Sequence, residues 1–232
     1  HSVRVGDFKF EDGVLVGYVG SSSNVVLPKN FQGKKYAIGE RAFKDSKITS
    51  ITIPEGVTSI GDWAFDGTPW YNNHPDGVVY AGKVLYKYKG TMPANTSIEV
   101  KEGTVSISPS AFSGCSSLSS ITIPESVTSI GNSAFLGCSK LTLVKCPVRF
   151  RNLFPKVDFS VRVGDFKFLN DTLVGYLGSS NNVVLPQDFQ GEKYAIGDNA
   201  FKNSAITSIT IPQGVTSIGN HAFSDCKNLT SI

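Results

Sequence analysis

Apolar residues return along this chain in a fixed frame. In Ile51-Thr52-Ile53 they alternate with a polar residue, so the two isoleucines face one side of an extended strand and Thr52 the other. Pro54 removes a ladder donor and ends the strand. Val57 and Ile60 are three apart, which suits a short extended segment that bends. Gly61 then permits a turn that brings Ala64 and Phe65 inward, and the spacing predicts one helical or 3₁₀ turn there.

This unit of about 23 residues is repeated. Ile-Thr-Ile-Pro occurs at Ile51–Pro54, Ile121–Pro124 and Ile209–Pro212, and Val-Thr-Ser-Ile-Gly at Val57–Gly61, Val127–Gly131 and Val215–Gly219. Ala-Phe closes the unit six times, at Phe43, Phe65, Phe112, Phe135, Phe201 and Phe223. Degenerate copies keep the frame: Ile98, Val100, Ile107 and Phe112 are spaced like Ile51, Ile53, Ile60 and Phe65. On a larger scale, Val3–Phe65 aligns with Val161–Phe223 at 47 identical positions of 63, which marks a tandem duplication. One unit cannot bury its own apolar side, whereas stacked units bury a continuous column. Each buried Ile or Phe contributes about 1.5–3 kcal/mol, so such a column is ample for a core. The pattern predicts a β-rich solenoid in two blocks, 1–158 and 159–232, with the second duplicated and truncated.

Two stretches break the frame. Trp70–Gly90 reads as an inserted hairpin, Val78–Tyr80 and Val84–Tyr88 joined by Ala81-Gly82-Lys83. Val148–Phe159 joins the duplicated halves, and with Phe150, Leu153, Phe154 and Phe159 it reads as a packed connector.

The motif Leu-x-x-Ile-x-Ile-Pro-x-x-Val-x-x-Ile-Gly-x-x-Ala-Phe-x-x-Cys, complete at Leu118–Cys138, resembles the BspA-like leucine-rich repeat of bacterial cell-surface proteins. Val3–Gly39 and Val161–Gly197 resemble the N-terminal modules of that family, a β-hairpin followed by a divergent repeat. The chain departs from ordinary leucine-rich repeats in lacking an Asn ladder, so its tight loop must be satisfied otherwise. The resemblance implies a leucine-rich-repeat solenoid, a right-handed superhelix with short helical or 3₁₀ turns. It also implies an exported, surface-attached or secreted binding protein without cofactor, engaging an extracellular protein or glycan of a host or of neighbouring bacteria. The rival expectation is a structural spacer or a self-associating surface-layer component.

Composition narrows the chemistry. With 22 Lys plus Arg against 19 Asp plus Glu, the net charge of +3 is too balanced for charge-driven binding of nucleic acid or an anionic membrane. No apolar run approaches 18 residues, so no helical membrane span is expected in this chain. The longest stretch free of Gly and Pro, Glu40–Ile53, has 14 residues, which excludes a helix-bundle enzyme. Histidine occurs only at 1, 74 and 221, and no catalytic constellation is expected. His74 reads as a polar loop tip, and His221 takes the place of Trp63 in the duplication. Cys115 and Cys138 hold equivalent repeat positions on neighbouring rungs and allow either a disulfide or buried thiols; Cys146 and Cys226 are likewise undecided.

Two sets of residues are candidates for binding. Thr52, Thr122 and Thr210 project outward with their neighbouring serines and form either a flat recognition face or simply the outer side of the rungs. Trp70, Tyr71, Tyr80, Tyr86 and Tyr88 concentrate in the one insertion, as a binding patch would, or else pack the solenoid locally. The chain opens at His1 with Met92 as its only methionine, so a targeting segment has been removed or the chain is trimmed. Leu229–Ile232 stops where another Ile-Pro would follow, and this edge is expected to continue or to pair with another copy.

Overall fold

The computed structural model describes residues 2–232. Its contacts divide into two compact units, His1–Val157 and Asp158–Ile232. Unit one opens with an antiparallel meander of β1 (Ser2–Val5), β2 (Phe8–Glu11) and β3 (Val14–Tyr18). Each following rung supplies two short strands. These are β4 (Asn24–Val26) with β5 (Tyr36–Ile38), then β6 (Ser50–Thr52) with β7 (Val57–Ile60). After a one-turn helix, α1 (Pro69–Asn72), comes the expected hairpin, β8 (Gly77–Ala81) and β9 (Val84–Lys89). Two more rungs give β10 (Thr96–Glu99), β11 (Ser106–Ile107), β12 (Leu118–Thr122) and β13 (Ser129–Ile130), and β14 (Leu143–Lys145) follows. Unit two repeats the opening as β15 (Val161–Val163), β16 (Phe166–Leu169), β17 (Thr172–Tyr176), β18 (Asn182–Val184), β19 (Tyr194–Ile196), β20 (Ser208–Thr210) and β21 (Val215–Ile218).

Within each unit the rungs pair in parallel, as a β-rich solenoid requires. The Ile-Thr-Ile strands form one set of ladders, β4–β6 and β10–β12–β14, and in unit two β18–β20. The Val-x-x-Ile strands form the other, β3–β5–β7 and β9–β11–β13, and in unit two β17–β19–β21. Inward positions line up in register as Leu15, Ile38 and Ile60, and again as Leu85 and Ile107, all at most 1% exposed. The Ala-Phe anchors stack beside them, Phe43 on Phe65 at 5.4 Å, Phe112 on Phe135 at 5.5 Å and Phe201 on Phe223 at 5.3 Å between ring centroids.

The turn that carries Ala-Phe inward differs in detail from the expected helical or 3₁₀ turn. Short-range bonds of 3₁₀ type are present, from the amides of Ala42, Lys44 and Ser46 to the carbonyls of Gly39, Arg41 and Phe43. The residue before each Ala-Phe, however, is left-handed in all six copies: Arg41, Trp63, Ser110, Ser133, Asn199 and His221, with φ between 53° and 58°. So is the residue two after each Phe, which is Asp45, Gly67, Gly114, Gly137, Asn203 or Asp225. These reversals unwind the helix and turn every second amide toward the next rung. Ser110, Phe112 and Gly114 thus donate to the carbonyls of Asn132, Ala134 and Leu136 at 3.0, 2.7 and 2.7 Å. Arg41, Phe43 and Asp45 do the same to Asp62, Ala64 and Asp66. This third ladder satisfies the loop backbone where an Asn ladder is lacking. Among the described residues, helix is confined to α1 and to a 3₁₀ segment, Val148–Leu153, in the connector, where Phe150 is buried.

Rungs this close leave no space for a side chain at the repeat glycine. A Cβ on Gly131 would lie 2.3 Å from the backbone nitrogen of Pro109, and one on Gly61 2.5 Å from that of Glu40. Gly17, in the opening meander, would meet nothing nearer than Lys9 Cβ at 3.9 Å. Gly131→Ala is therefore expected to lose about 2–3 kcal/mol in urea denaturation, within the range for single substitutions that force backbone apart, and Gly17→Ala less than about 1 kcal/mol. Equal losses would contradict the close-approach account.

Candidate functional site

The aromatic insertion lies inside the repeat frame. β9 pairs in parallel with β11, Val84 opposite Ser106 and Leu85 opposite Ile107, so it occupies the place of a rung strand. Its continuation also replaces a turn. The Tyr86 hydroxyl accepts from the amide of Phe65 at 3.1 Å, where the preceding turn finds a carbonyl, and donates to Asp66 Oδ1 at 3.4 Å. The Tyr88 amide donates to the carbonyl of Ala111 at 2.8 Å. Burial, with help from the neighbouring Asp66 charge, raises the Tyr86 phenol well above its ordinary value, so the hydroxyl stays neutral.

Each aromatic residue of the insertion has a packing partner. Tyr86 is 2% exposed, with its ring edge-on to Phe65 at 5.3 Å and to Tyr71 at 5.7 Å. Trp70 packs on Phe65 at 4.7 Å and on His74 at 4.6 Å. The Trp70 carbonyl in turn lies 2.7 Å from His74 Nδ1, so His74 is tied into the turn after α1. The Tyr80 hydroxyl accepts from the Lys101 amide at 3.0 Å, with the Lys101 ammonium 4.5 Å over its ring. Tyr88 lies over Phe112 at 6.4 Å. As a ligand contact Tyr86 is corrected by this geometry, because a side chain enclosed in the core presents nothing to a partner. Trp70, Tyr71, Tyr80 and Tyr88 are half-buried and make the insertion fit the solenoid.

The three threonines lie on the outward side of the Ile-Thr-Ile ladders. Thr52 is exposed and registers with Val26, Thr210 is exposed and registers with Val184, and Thr122 is half-buried between Glu99 and Lys145. Hydroxyls and amides tie these columns together along the stack. Ser50 donates to Asn24 Oδ1 at 2.7 Å, Ser120 to Ser97 at 2.5 Å and Ser208 to Asn182 Oδ1 at 2.8 Å. The columns also carry apolar residues that composition does not single out: Val26 is 71% exposed, Leu143 70% and Val184 70%. Strand alternation was the available signal, since Val25 and Val183 point inward and their neighbours must point out.

The cysteines are free thiols. Cys138 donates to the carbonyl of Phe112 at 3.2 Å and Cys226 to that of Phe201 at 3.0 Å, each reaching back one rung. Burial pushes the Cys138 thiol up to about 11 and raises Cys115 and Cys146, the state of packed thiols rather than reactive ones. His221 Nδ1 lies 3.1 Å from Ser224 Oγ on an exposed turn. Among the described residues no group of three or more His, Cys, Asp or Glu could hold a metal ion, and no helix is long and apolar enough to cross a membrane.

The fold thus defines a leucine-rich-repeat protein with outward ladder faces. The BspA type leucine rich repeat region matches in six copies over residues 19–75, 85–160 and 194–232, and the chain belongs to that family. A search of curated proteins gave no match. Similar solved structures include a leucine rich cell surface protein from Faecalibacterium prausnitzii, 18% identical over 100% of this chain and 76% of that one, with a TM-score of 0.28. A leucine-rich repeat protein from Bacteroides capillosus is 27% identical over 63% of this chain and 98% of that one, with a TM-score of 0.32. The pneumococcal vaccine antigen PcpA is 19% identical over 99% of this chain and 58% of that one, with a TM-score of 0.28.

Tyr86→Phe removes the acceptor of a buried amide and is expected to lower stability by about 1–3 kcal/mol, whereas Thr52→Ala should stay within about 0.5 kcal/mol. Chemical denaturation of the two variants checks this; a neutral Tyr86→Phe would mean that the hydroxyl does not replace a rung carbonyl.

Proposed function

We propose that this is a non-enzymatic binding protein of the bacterial surface, which recognises an extracellular protein or glycan through the outward face of its Ile-Thr-Ile ladders. The observation that carries the reading is the character of that face. Small hydroxyl and amide side chains are held in register by hydrogen bonds, and large aliphatic residues, Val26 and Leu143 in unit one and Val184 in unit two, stand exposed among them. Exposed aliphatic groups on a pre-ordered surface favour contact with a partner at little entropic cost. Family membership supports the same reading, since repeat scaffolds of this kind supply extended surfaces. Export to the cell surface is part of the proposal.

An array of extracellular-matrix proteins and glycans, probed with wild type and with the double variant Val26→Asp, Leu143→Asp, tests it. Both positions are exposed, so stability should be unchanged while capture falls at least about tenfold, the loss expected when a central contact is removed. Undiminished capture by the double variant would remove the ladder face from the reading.

A second reading, self-association as a spacer or surface layer, has its own observation. The amides of Ser133, Phe135 and Gly137 in unit one are equivalent to those of Ser110, Phe112 and Gly114, yet among the described residues they have no acceptor. They border a groove of about 600 Å³ beside Leu153 and Phe154. A turn from another copy that offers alternate carbonyls would extend the ladder. Sedimentation should then show assembly that rises with concentration; a monomer at all concentrations would sink this reading.

A further inference from the structure

A second surface feature of unit one arises where the insertion interrupts the turn ladder. The outward side of β3–β5–β7 and the outward side of β11–β13 line a single cleft of about 390 Å³, with Ala37, Ser59 and Gly61 on one wall and Ser108, Ser129 and Asn132 on the other. Outside the cleft lining, Ser106 Oγ donates to the carbonyl of Thr58 at 2.8 Å and Ser110 Oγ to Asp62 Oδ2 at 3.1 Å, which ties the two segments together. In other rungs the position of Ser108 is glycine, namely Gly39, Gly61, Gly131, Gly197 and Gly219. At Gly61, Gly131 and Gly219 the rungs stack too closely for a Cβ, whereas Ser108 stands beside β9, which runs on through Tyr86 and Tyr88.

Ser108 follows β11 directly and is one of the residues that line the cleft. It is 2% exposed, and its hydroxyl has no hydrogen-bond partner within the protein. Leaving such a group unpaired is costly, and a bound donor or acceptor would recover that cost.

We propose that this cleft binds a small neutral saccharide, one or two sugar rings in size. The proposal rests on the extracellular-recognition reading above and gives it a second, separate site. Among the described residues no charged and no aromatic side chain lines the cleft, so it offers nothing to a phosphate, a carboxylate, an ammonium group or a planar base. What it offers are serine hydroxyls and the Asn132 amide, groups that both donate and accept and therefore match a sugar hydroxyl. The volume lies near the lower end of ligand pockets, roughly 300–1,000 Å³, and limits the occupant to a short saccharide.

The test uses the full chain and saturation-transfer NMR with glucose, galactose, N-acetylglucosamine, maltose and lactose as probes. Wild type should transfer saturation to at least one of them. Ser129→Trp, at the exposed rim, should abolish the transfer, and Ser108→Ala should weaken binding about tenfold, the value of roughly one hydrogen bond, without lowering the melting temperature. Absence of transfer to every probe, or transfer that survives Ser129→Trp, overturns the proposal. So does a Ser108→Ala protein that binds as wild type, because the hydroxyl would then be held by water alone. Failure here is separable from failure of the broader reading: capture on the matrix array that survives Ser129→Trp but not Val26→Asp with Leu143→Asp would remove the cleft and keep the ladder face.

Discussion

The close stacking of one backbone rung on the next is the constraint from which the other features follow. Two strand ladders and a turn ladder share the same rung spacing, so three backbone surfaces must pair at once. The spacing excludes a Cβ at Gly61 and Gly131, and it requires left-handed residues on both sides of each Ala-Phe so that alternate amides point along the stack. Side-chain packing follows from the backbone. Once the rungs are in register, the Ile and Phe columns fall into contact, and the hydrophobic gain fixes a register that hydrogen bonds alone would leave free to slip.

The insertion shows how the constraint is met when a rung departs from the repeat. β9 supplies the strand, the Tyr86 hydroxyl takes the place of a carbonyl, and the Tyr88 amide takes the place of a turn donor. The aromatic residues gathered there serve this substitution, because a phenol combines the bulk of a core residue with a polar tip that reaches an otherwise unpaired amide. The outward cleft lies beside this departure, where a serine stands at 108 and the neighbouring rungs have glycine.

Much of the fold was legible in the residues. Alternation in Ile-Thr-Ile, the terminating proline, the six Ala-Phe anchors and the duplication each follow from local rules, and the repeat family was recognisable from them. The turn conformation was less legible. Asp45, Gly67, Gly114, Gly137, Asn203 and Asp225 are residue types that tolerate positive φ and form a column in sequence, but Arg41, Trp63, Ser110 and Ser133 are not, and they hide the second left-handed position. The candidate surfaces were legible only in part. Thr52 and Thr210 lie outward as alternation requires, while Tyr86 lies in the core, since composition records that aromatics cluster and not which way they point.

By itself, the sequence determined the repeat, the inward columns and the punctuation of each rung, because these depend on the period of a strand and the stereochemistry of glycine and proline. Only the tertiary structure decided that the insertion fills a rung, that every second turn amide bonds to the next rung, and that two outward columns face each other across Ser108. Those features depend on contacts between segments some 20 to 48 residues apart, such as Tyr86 with Phe65 and Ser106 with Thr58, and such distances have no expression in local pattern.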